Sequence, residues 1–241
     1  MLRIHSLETF GTHDGPGIRL VIFTQGCNMR CLYCHNIDTR LTGGGQEISS
    51  EEIISKLEQQ KEYFQNGGGL TISGGEPLLQ AEELLPILRA VKKKGFNISL
   101  DTNGSVFNET VRNLYDLCDL VLFDIKHIGG DKHRALTGLD NQITLDSIRY
   151  REESGRPFWL RYVLVPGYSD EASDLENLGK YFKDYKNIER LEILPYHTFG
   201  VYKFKEMGLD YQLSDVLPPT TSQIQAAQTI LSPYFKNIYI G

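Results

Sequence analysis

Three of the four cysteines in this 241-residue chain lie close together, in the segment FTQGCNMRCLYCHN (residues 23–36). Cys27, Cys31 and Cys34 have the spacing Cys-x-x-x-Cys-x-x-Cys, and His35 follows directly. Clustered thiolates of this kind bind metal ions or metal clusters. The segment is therefore compatible with a structural zinc site, a haem attachment site or an iron–sulfur cluster.

Zinc and haem explain this segment less well. A structural zinc ion takes four thiolate or imidazole ligands, and His35 adjoins Cys34, so the two side chains reach one ion with difficulty. Cys118 is remote in sequence and precedes an apolar run, so we expect a small buried residue there. CLYCH matches a c-type haem attachment site, but the N-terminus lacks the apolar core of a signal peptide, and haem leaves Cys27 unexplained.

An iron–sulfur cluster uses all three cysteines. Four thiolates normally saturate a 4Fe–4S cluster, so three would leave one iron open to a small chelating molecule. An open coordination position distinguishes catalytic metal sites from structural ones. The spacing of Cys27, Cys31 and Cys34 thus favours a catalytic 4Fe–4S cluster.

The composition disfavours several classes of partner. The chain has 25 Lys and Arg residues against 31 Asp and Glu residues, a net charge of −6, which argues against a nucleic-acid or anionic membrane surface. No segment approaches the ~18 apolar residues of a membrane span. With no signal peptide, these features predict a cytoplasmic protein, in which thiols stay reduced.

Short apolar runs alternate with amphipathic stretches along the chain. Six runs begin at Leu20, Leu70, Ile98, Leu120, Phe158 and Leu191. Residues 49–64, 80–95 and 169–185 have helical spacing, and the first and third open on Ser or Asp cap candidates. The alternation predicts βα units and a parallel sheet. Because a closed barrel needs eight units, we predict an α/β fold: one domain, residues 1–241, forming an incomplete, laterally open (β/α)6 barrel.

Two segments lack clear periodicity, and the role of the C-terminal residues is open. Residues 1–19 and 198–221 show neither helical nor strand spacing. The C-terminal sequence NIYIG is compatible with a short added strand or with a packing tail.

A distinctive polar cluster follows each apolar run, namely TQGC, SGGEP, DTNG, DIKH, VPGYSD and PYH. In βα barrels the carboxyl ends of the strands form the active face, so these clusters should meet at one cavity. Taken singly, SGGEP could be a strand-to-helix turn, DTNG an Asx turn and DIKH a rim ion pair. Their shared position predicts an enzyme.

With the cysteine loop, these clusters resemble the radical S-adenosylmethionine superfamily. The run DGPGIR (residues 14–19) is typical of its glycyl-radical-enzyme activases, and the other motifs follow in order over nearly the whole chain. The resemblance implies an oxidoreductase whose 4Fe–4S cluster, reduced by flavodoxin or ferredoxin, cleaves S-adenosylmethionine. The resulting 5′-deoxyadenosyl radical would take an α-hydrogen from a glycine of a large partner enzyme.

The resemblance also implies roles for individual residues. Besides the three cysteine ligands, the cofactor-binding residues would be Tyr33, Ser73, Gly74, Gly75, Glu76, Asp101, Thr102, Asn103, Lys126 and His197. A monovalent cation beside the cofactor would be held by Asp101, Thr102 and Asp124. The partner loop would contact Asp14, His35 and Arg161, although Arg161 could instead form an ion pair within the barrel.

The partner is also an expectation from resemblance. Many activases of other glycyl radical enzymes carry a cysteine-rich insertion after the first motif, and residues 36–69 contain no cysteine. This favours pyruvate formate-lyase as the partner, with another glycyl radical enzyme as the alternative. An iron–sulfur electron carrier or a zinc-stabilised binding scaffold leaves the strand-end clusters unexplained. A radical enzyme acting on RNA or a small molecule is disfavoured by the acidic charge and by DGPG.

Overall fold

The computed structural model describes all 241 residues, which fold into two compact units. The first unit consists of residues 1–28 and 39–122, and the second of residues 29–38 and 123–241. Each unit contains its own part of the β-sheet and its own helices. No helix is both long and apolar enough to cross a bilayer.

The first unit is built around parallel strands flanked by an antiparallel pair. Its elements are β1 (Leu2–Gly11), β2 (Arg19–Thr24), β3 (Gln46–Ile48), α1 (Ser50–Gln60), β4 (Gly69–Gly74), α2 (Ala81–Lys93), β5 (Asn97–Thr102) and α3 (Glu109–Leu117). Strand β6 (Leu120–Asp124) starts in this unit and ends in the second. The strand order is β3-β1-β2-β4-β5-β6, in which β2, β4 and β5 are parallel and β1 is antiparallel to β2 and β3.

The second unit continues from β6. Its elements are α4 (Gly130–Thr137), α5 (Gln142–Glu153), β7 (Phe158–Leu164), α6 (Ala172–Phe182), β8 (Ile188–Pro195), α7 (Val201–Glu206), α8 (Thr221–Leu231) and β9 (Ile238–Ile240). The strand order is β6-β7-β8-β9, with β7, β8 and β9 parallel. Short 3-10 helices span Ile37–Thr39, Lys61–Tyr63 and Pro77–Gln80.

The predicted α/β fold with an open sheet is confirmed. Strands β2 and β4–β8 coincide with the six apolar runs, and helices follow the strands as predicted. The strand order has two ends, β3 and β9, so the sheet does not close. The structure adds β1 and β3, which sequence periodicity did not reveal because β1 is irregular in register and β3 has only three residues. NIYIG forms β9, the strand alternative.

The helix caps were only partly predictable. Ser49 caps α1 through a capping box with Glu52, as the sequence indicated. The prediction of a Ser or Asp cap on α6 was wrong, because the N-cap is Glu171 without a side-chain hydrogen bond. Ser169 Oγ instead accepts a hydrogen bond from Val165 N, and Asp170 Oδ1 accepts one from Gly167 N. Both side chains are thus engaged in the preceding turn.

A buried arginine joins the N-terminal segment to the strands of the first unit. Arg19, the first residue of β2, is fully buried. Each of its five N–H groups donates a hydrogen bond to a different oxygen: Pro16 O, Gly67 O, Leu70 O, Thr71 Oγ1 and Asn97 Oδ1. Thr71 Oγ1 in turn donates to Asp14 O over 2.7 Å. Burial lowers the pKa of Arg19 to about 10, which leaves it charged at neutral pH.

We expect Arg19→Met to lower the free energy of unfolding by about 3 kcal/mol, because the backbone carbonyls of Pro16, Gly67 and Leu70 all lose their donor. Urea denaturation measures this change. Arg156→Met, at an exposed position, is the control and should change the free energy by less than about 0.5 kcal/mol. A similar loss in both variants would show that the five hydrogen bonds contribute nothing specific.

Candidate active site

Two glycines of SGGEP let this loop lie directly against the start of the cysteine loop. Gly74 has a φ of +126°, and a Cβ on it would lie 2.1 Å from Thr24 N. A Cβ on Gly75 would lie 2.2 Å from Gly26 O. Neither position has room for a side chain, and Gly74 adopts a backbone conformation that favours glycine. The glycines are therefore required by the packing of the chain against itself.

Glu76 joins the SGGEP and DTNG loops. Its fully buried carboxylate accepts hydrogen bonds from Leu78 N over 3.0 Å and Thr102 Oγ1 over 2.6 Å, both at Oε1. Its other oxygen accepts one from Asn103 N over 2.8 Å. Burial raises the pKa of Glu76 to about 7, against the opposing effect of these donors. The carboxylate is thus a buried acid that holds both loops in place.

Asn103 places an amide group beside the first cysteine. Its Oδ1 accepts a hydrogen bond from Ser105 N over 2.9 Å, which turns Nδ2 toward Cys27 Sγ at 4.0 Å. The same Nδ2 lies 3.5 Å from Asn28 Oδ1. Hydrogen bonds to the sulfur ligands tune the potential of iron–sulfur clusters, so this contact suits a ligand cysteine.

The remaining predicted residues of the first unit lie on neighbouring strands. Asp101 Oδ2, in β5, accepts a 2.7 Å hydrogen bond from Ser73 Oγ in β4. Asp14 is bound through its backbone oxygen to Thr71, the third residue of β4, and not to the end of that strand. Asp101 thus lies with the SGGEP and DTNG clusters, whereas Asp14 lies further back along the sheet.

In the second unit the cysteine loop lies against the end of α4. Arg30 N donates to Thr137 O over 2.6 Å, and Leu32 N donates to Leu136 O over 3.0 Å. The Tyr33 side chain is buried in an apolar cluster with Leu136, Val165, Tyr196 and Leu213. These contacts fix the backbone that carries Cys31 and Cys34.

The buried hydroxyl of Tyr33 has no hydrogen-bond partner in the chain. Burial raises its pKa well above the usual value. Lys126 Nζ lies 5.9 Å from the centre of the Tyr33 ring and 2.7 Å from Asp124 Oδ2. Burial alone would lower the pKa of Lys126, but Asp124, Tyr33 and Cys31 together outweigh it and the pKa is raised. Since buried polar groups normally have partners, this environment fits a polar ligand.

His35 and His197 are in direct contact. Their rings stack with centroids 3.8 Å apart, and His35 Nε2 lies 3.0 Å from His197 O. Burial lowers the pKa of both rings, so both are neutral at pH 7. A Cβ on Gly200 would lie 2.8 Å from His35 Cα, so glycine is needed for this approach. The resemblance implied that His35 contacts the partner loop and that His197 contacts the cofactor. The structure places the two side chains together.

Arg161 forms an ion pair that the sequence left as an alternative. Its Nε lies 3.2 Å from Glu192 Oε2. Sequence reasoning missed Glu192, although Arg190 and Glu192 alternate along β8 and so share a face with each other. The pairing of β7 with β8 brings Arg161 and Glu192 side by side.

The three clustered thiols are the donor type that an iron–sulfur cluster takes. No three His, Cys, Asp or Glu side chains meet closely enough to hold one metal ion. A 4Fe–4S cluster does not need this, because each cysteine ligates a different iron. None of the cysteines forms a disulfide; Cys27, Cys31 and Cys34 are half-buried, and Cys118 is fully buried as predicted. Three thiols and an unsatisfied Tyr33 hydroxyl fit a cluster with a polar cofactor.

Comparison with known proteins identifies the family. Residues 21–178 match the radical SAM superfamily, where SAM denotes S-adenosylmethionine. The chain belongs to this superfamily. A similar relative, the pyruvate formate-lyase-activating enzyme of Staphylococcus aureus (strain USA300), is 44% identical over 232 residues, covering 93% of this chain and 92% of the relative.

Solved structures agree with this assignment. A domain of the pyruvate-formate lyase-activating enzyme from Bacteroides vulgatus is 26% identical with a TM-score of 0.61, over 73% of this chain and 99% of that domain. A radical SAM methyltransferase from Sphaerobacter thermophilus has a TM-score of 0.68 at 15% identity, over 100% of this chain and 77% of that protein. The second likeness shows the fold alone. The chain is an enzyme of the radical SAM class, whose cofactors are S-adenosylmethionine and a 4Fe–4S cluster.

The buried acid Glu76 should make stability depend on pH. Its pKa is about 7 in the folded chain against 4.5 ordinarily, so the folded state binds more protons between these values. Stability should therefore fall by about 3 kcal/mol as pH rises from 4.5 to 7. We expect Glu76→Gln to remove this component of the slope, even if it lowers stability overall.

Urea denaturation at several pH values measures the slope. Glu83→Gln, an exposed position on α2, is the control and should keep the wild-type slope. Equal slopes in wild type and Glu76→Gln would contradict the raised pKa.

Proposed function

We propose that the protein activates pyruvate formate-lyase by forming a glycyl radical in it. The observation that carries the proposal is the 44% identity, over 93% of this chain, to a protein named pyruvate formate-lyase-activating enzyme. The cysteine-free stretch of residues 36–69 adds support, because it offers no thiolate ligands for additional clusters. Activation of a different glycyl radical enzyme is the alternative within the family.

Cys27, Cys31 and Cys34 would hold the 4Fe–4S cluster. When bound, the cluster supplies the electron, delivered by reduced flavodoxin or ferredoxin, that splits S-adenosylmethionine into methionine and a 5′-deoxyadenosyl radical. The cysteines are half-buried, which limits contact of the ligating sulfurs with water. Asn103 would donate its amide N–H toward the Cys27 sulfur.

The polar residues around the cysteine loop would orient S-adenosylmethionine. The main chain of Ser73, Gly74 and Gly75 would face its methionine group, with Glu76 fixing that loop. The other cofactor contacts would be Tyr33, Asp101, Thr102, Asn103, Lys126 and His197. Among them, the Tyr33 hydroxyl gives the clearest support, since a bound cofactor would supply its missing hydrogen-bond partner.

The reaction transfers one hydrogen atom. With S-adenosylmethionine bound, its 5′-deoxyadenosyl group would take the hydrogen from the α-carbon of a partner glycine, which would break that C–H bond and leave an unpaired electron on the glycine. Asp14, His35 and Arg161 would contact the loop that carries this glycine. Neutral His35 and charged Arg161 can act as hydrogen-bond donors to backbone carbonyls of such a loop.

A single preparation tests the main proposal. Anaerobically reconstituted, reduced protein should show a 4Fe–4S electron paramagnetic resonance signal that changes when S-adenosylmethionine is added. Addition of pyruvate formate-lyase should then give a glycyl radical signal and 5′-deoxyadenosine. Cys31→Ser should lose the cluster, whereas Cys118→Ala should keep it, because Cys118 lies in the apolar core.

Each result distinguishes between the functional hypotheses. 5′-Deoxyadenosine without a glycyl radical would reject pyruvate formate-lyase as the partner. A cluster signal that ignores S-adenosylmethionine would favour an electron carrier. Stoichiometric zinc with no cluster would reject the mechanism.

Asp101, Thr102 and Asp124 would bind a monovalent cation beside the cofactor. Asp101 and Thr102 end β5, and Asp124 ends β6; carboxylate and hydroxyl oxygens suit hard cations. We expect replacement of potassium by tetramethylammonium to weaken S-adenosylmethionine binding about tenfold, as measured by calorimetry. Asp124→Asn should bind weakly in either salt, whereas Asp131→Asn, an exposed residue on α4, should behave as wild type. Salt-independent binding by the wild type would rule out the cation.

A further inference from the structure

Five side chains of the second unit lie on one face of its sheet. In the parallel pairing of β7 with β8, Trp159 lies opposite Arg190 and Arg161 opposite Glu192. Glu192 in turn lies opposite Tyr239 of β9. Because alternate residues of a strand share a face, these side chains are neighbours both along and across the strands.

Glu192 is bound to two arginines at once. Its Oε2 lies 3.2 Å from Arg161 Nε, and its Oε1 lies 2.6 Å from Arg190 Nη2. Only 8% of Glu192 is exposed, so water and dissolved salt weaken these ion pairs less than exposed ones. With one oxygen committed to each guanidinium, the carboxylate has a fixed orientation.

Aromatic rings hold the second arginine in place. The guanidinium carbon of Arg190 lies 3.2 Å from the centre of the Trp159 ring and 4.6 Å from the centre of the Tyr239 ring. Cations are attracted to aromatic faces at such distances. Arg190, Trp159 and Tyr239 also line a cavity of about 670 Å³ beside the first residues of these strands, and the stacked guanidinium contacts Glu192 at the same time.

The face also reaches the cysteine loop. Val163, two residues beyond Arg161 on β7, packs against the apolar cluster that contains Tyr33. A strand rises about 3.3 Å per residue, so Arg161 lies roughly 7 Å along the strand from this contact. Arg161 is therefore close to the Tyr33 environment that fits the cofactor.

We propose that Glu192 is a positioning residue that orders Arg161 for the glycine loop of the partner enzyme, with Arg190 and its aromatic stack holding Glu192. The inference rests on the proposed function. An arginine loses considerable rotamer freedom when it is fixed on a ligand. Ordering Arg161 before the loop arrives removes part of that cost from binding.

A double-mutant cycle tests this role. The protein is loaded with cluster and S-adenosylmethionine, and the probe is a synthetic peptide carrying the glycine loop of pyruvate formate-lyase. We expect Glu192→Gln to weaken peptide binding about tenfold and to leave S-adenosylmethionine affinity within about twofold. In an Arg161→Ala background the same change should add less than about twofold, because the residue it positions is gone.

Further variants exclude a general structural effect. Glu192→Asp keeps the charge and should bind the peptide with intermediate affinity; it replaces Glu192→Gln in the cycle if the latter does not fold. Glu153→Gln is the same change at an exposed position of the second unit, the last residue of α5, and it should match the wild type. Additive effects of Glu192 and Arg161 substitutions, or an equal loss of S-adenosylmethionine affinity, would overturn the positioning role.

Measurements on the wild type distinguish failure of the proposed function from failure of the proposed role of Glu192. If it neither binds the peptide nor forms a glycyl radical in pyruvate formate-lyase, the proposed function fails. If it does both and the cycle is additive, only the role of Glu192 fails.

Discussion

The buried carboxylate of Glu76 is the constraint on which the site of the first unit depends. Its two oxygens take three donors from two loops, Leu78 in one and Thr102 and Asn103 in the other. A buried donor that loses its acceptor costs about 1–3 kcal/mol, so neither loop can move without the other. The glycines at 74 and 75 then bring this assembly against the start of the cysteine loop.

The second unit uses a different arrangement, in which charged groups form ion pairs and a buried hydroxyl has no hydrogen bond. Lys126 is paired with Asp124, and Arg161 with Glu192, whereas the buried Tyr33 hydroxyl has no partner in the chain. Paired groups give a rigid frame, and an unsatisfied group marks where a polar ligand completes the structure. For a radical enzyme, rigid placement matters because the reactive group must meet one hydrogen atom and little else.

Short stretches of sequence predicted those features that depend on residues close together in the chain, namely the strands and the cysteine loop. The six apolar runs became strands because continuous β-branched stretches suit strands buried on both faces, and the cysteine spacing indicated the cluster. The stacking of His35 on His197 joins residues 162 positions apart, and the Arg161–Glu192 pair depends on strand register. Neither leaves a local signal. The strand β1 was missed because its register shifts interrupt the alternation of buried residues.

The hydrogen bonds of Arg19 determine how the attachment of the N-terminal segment responds to ionic strength. All five of its N–H groups bind uncharged oxygens inside the first unit, so backbone and side-chain dipoles stabilise its charge together with the charges of Asp119 and Asp14. Added salt screens exposed ion pairs such as Lys180–Glu176, but it cannot reach these dipoles. The segment that carries Asp14 is thus attached by contacts that persist in concentrated electrolyte.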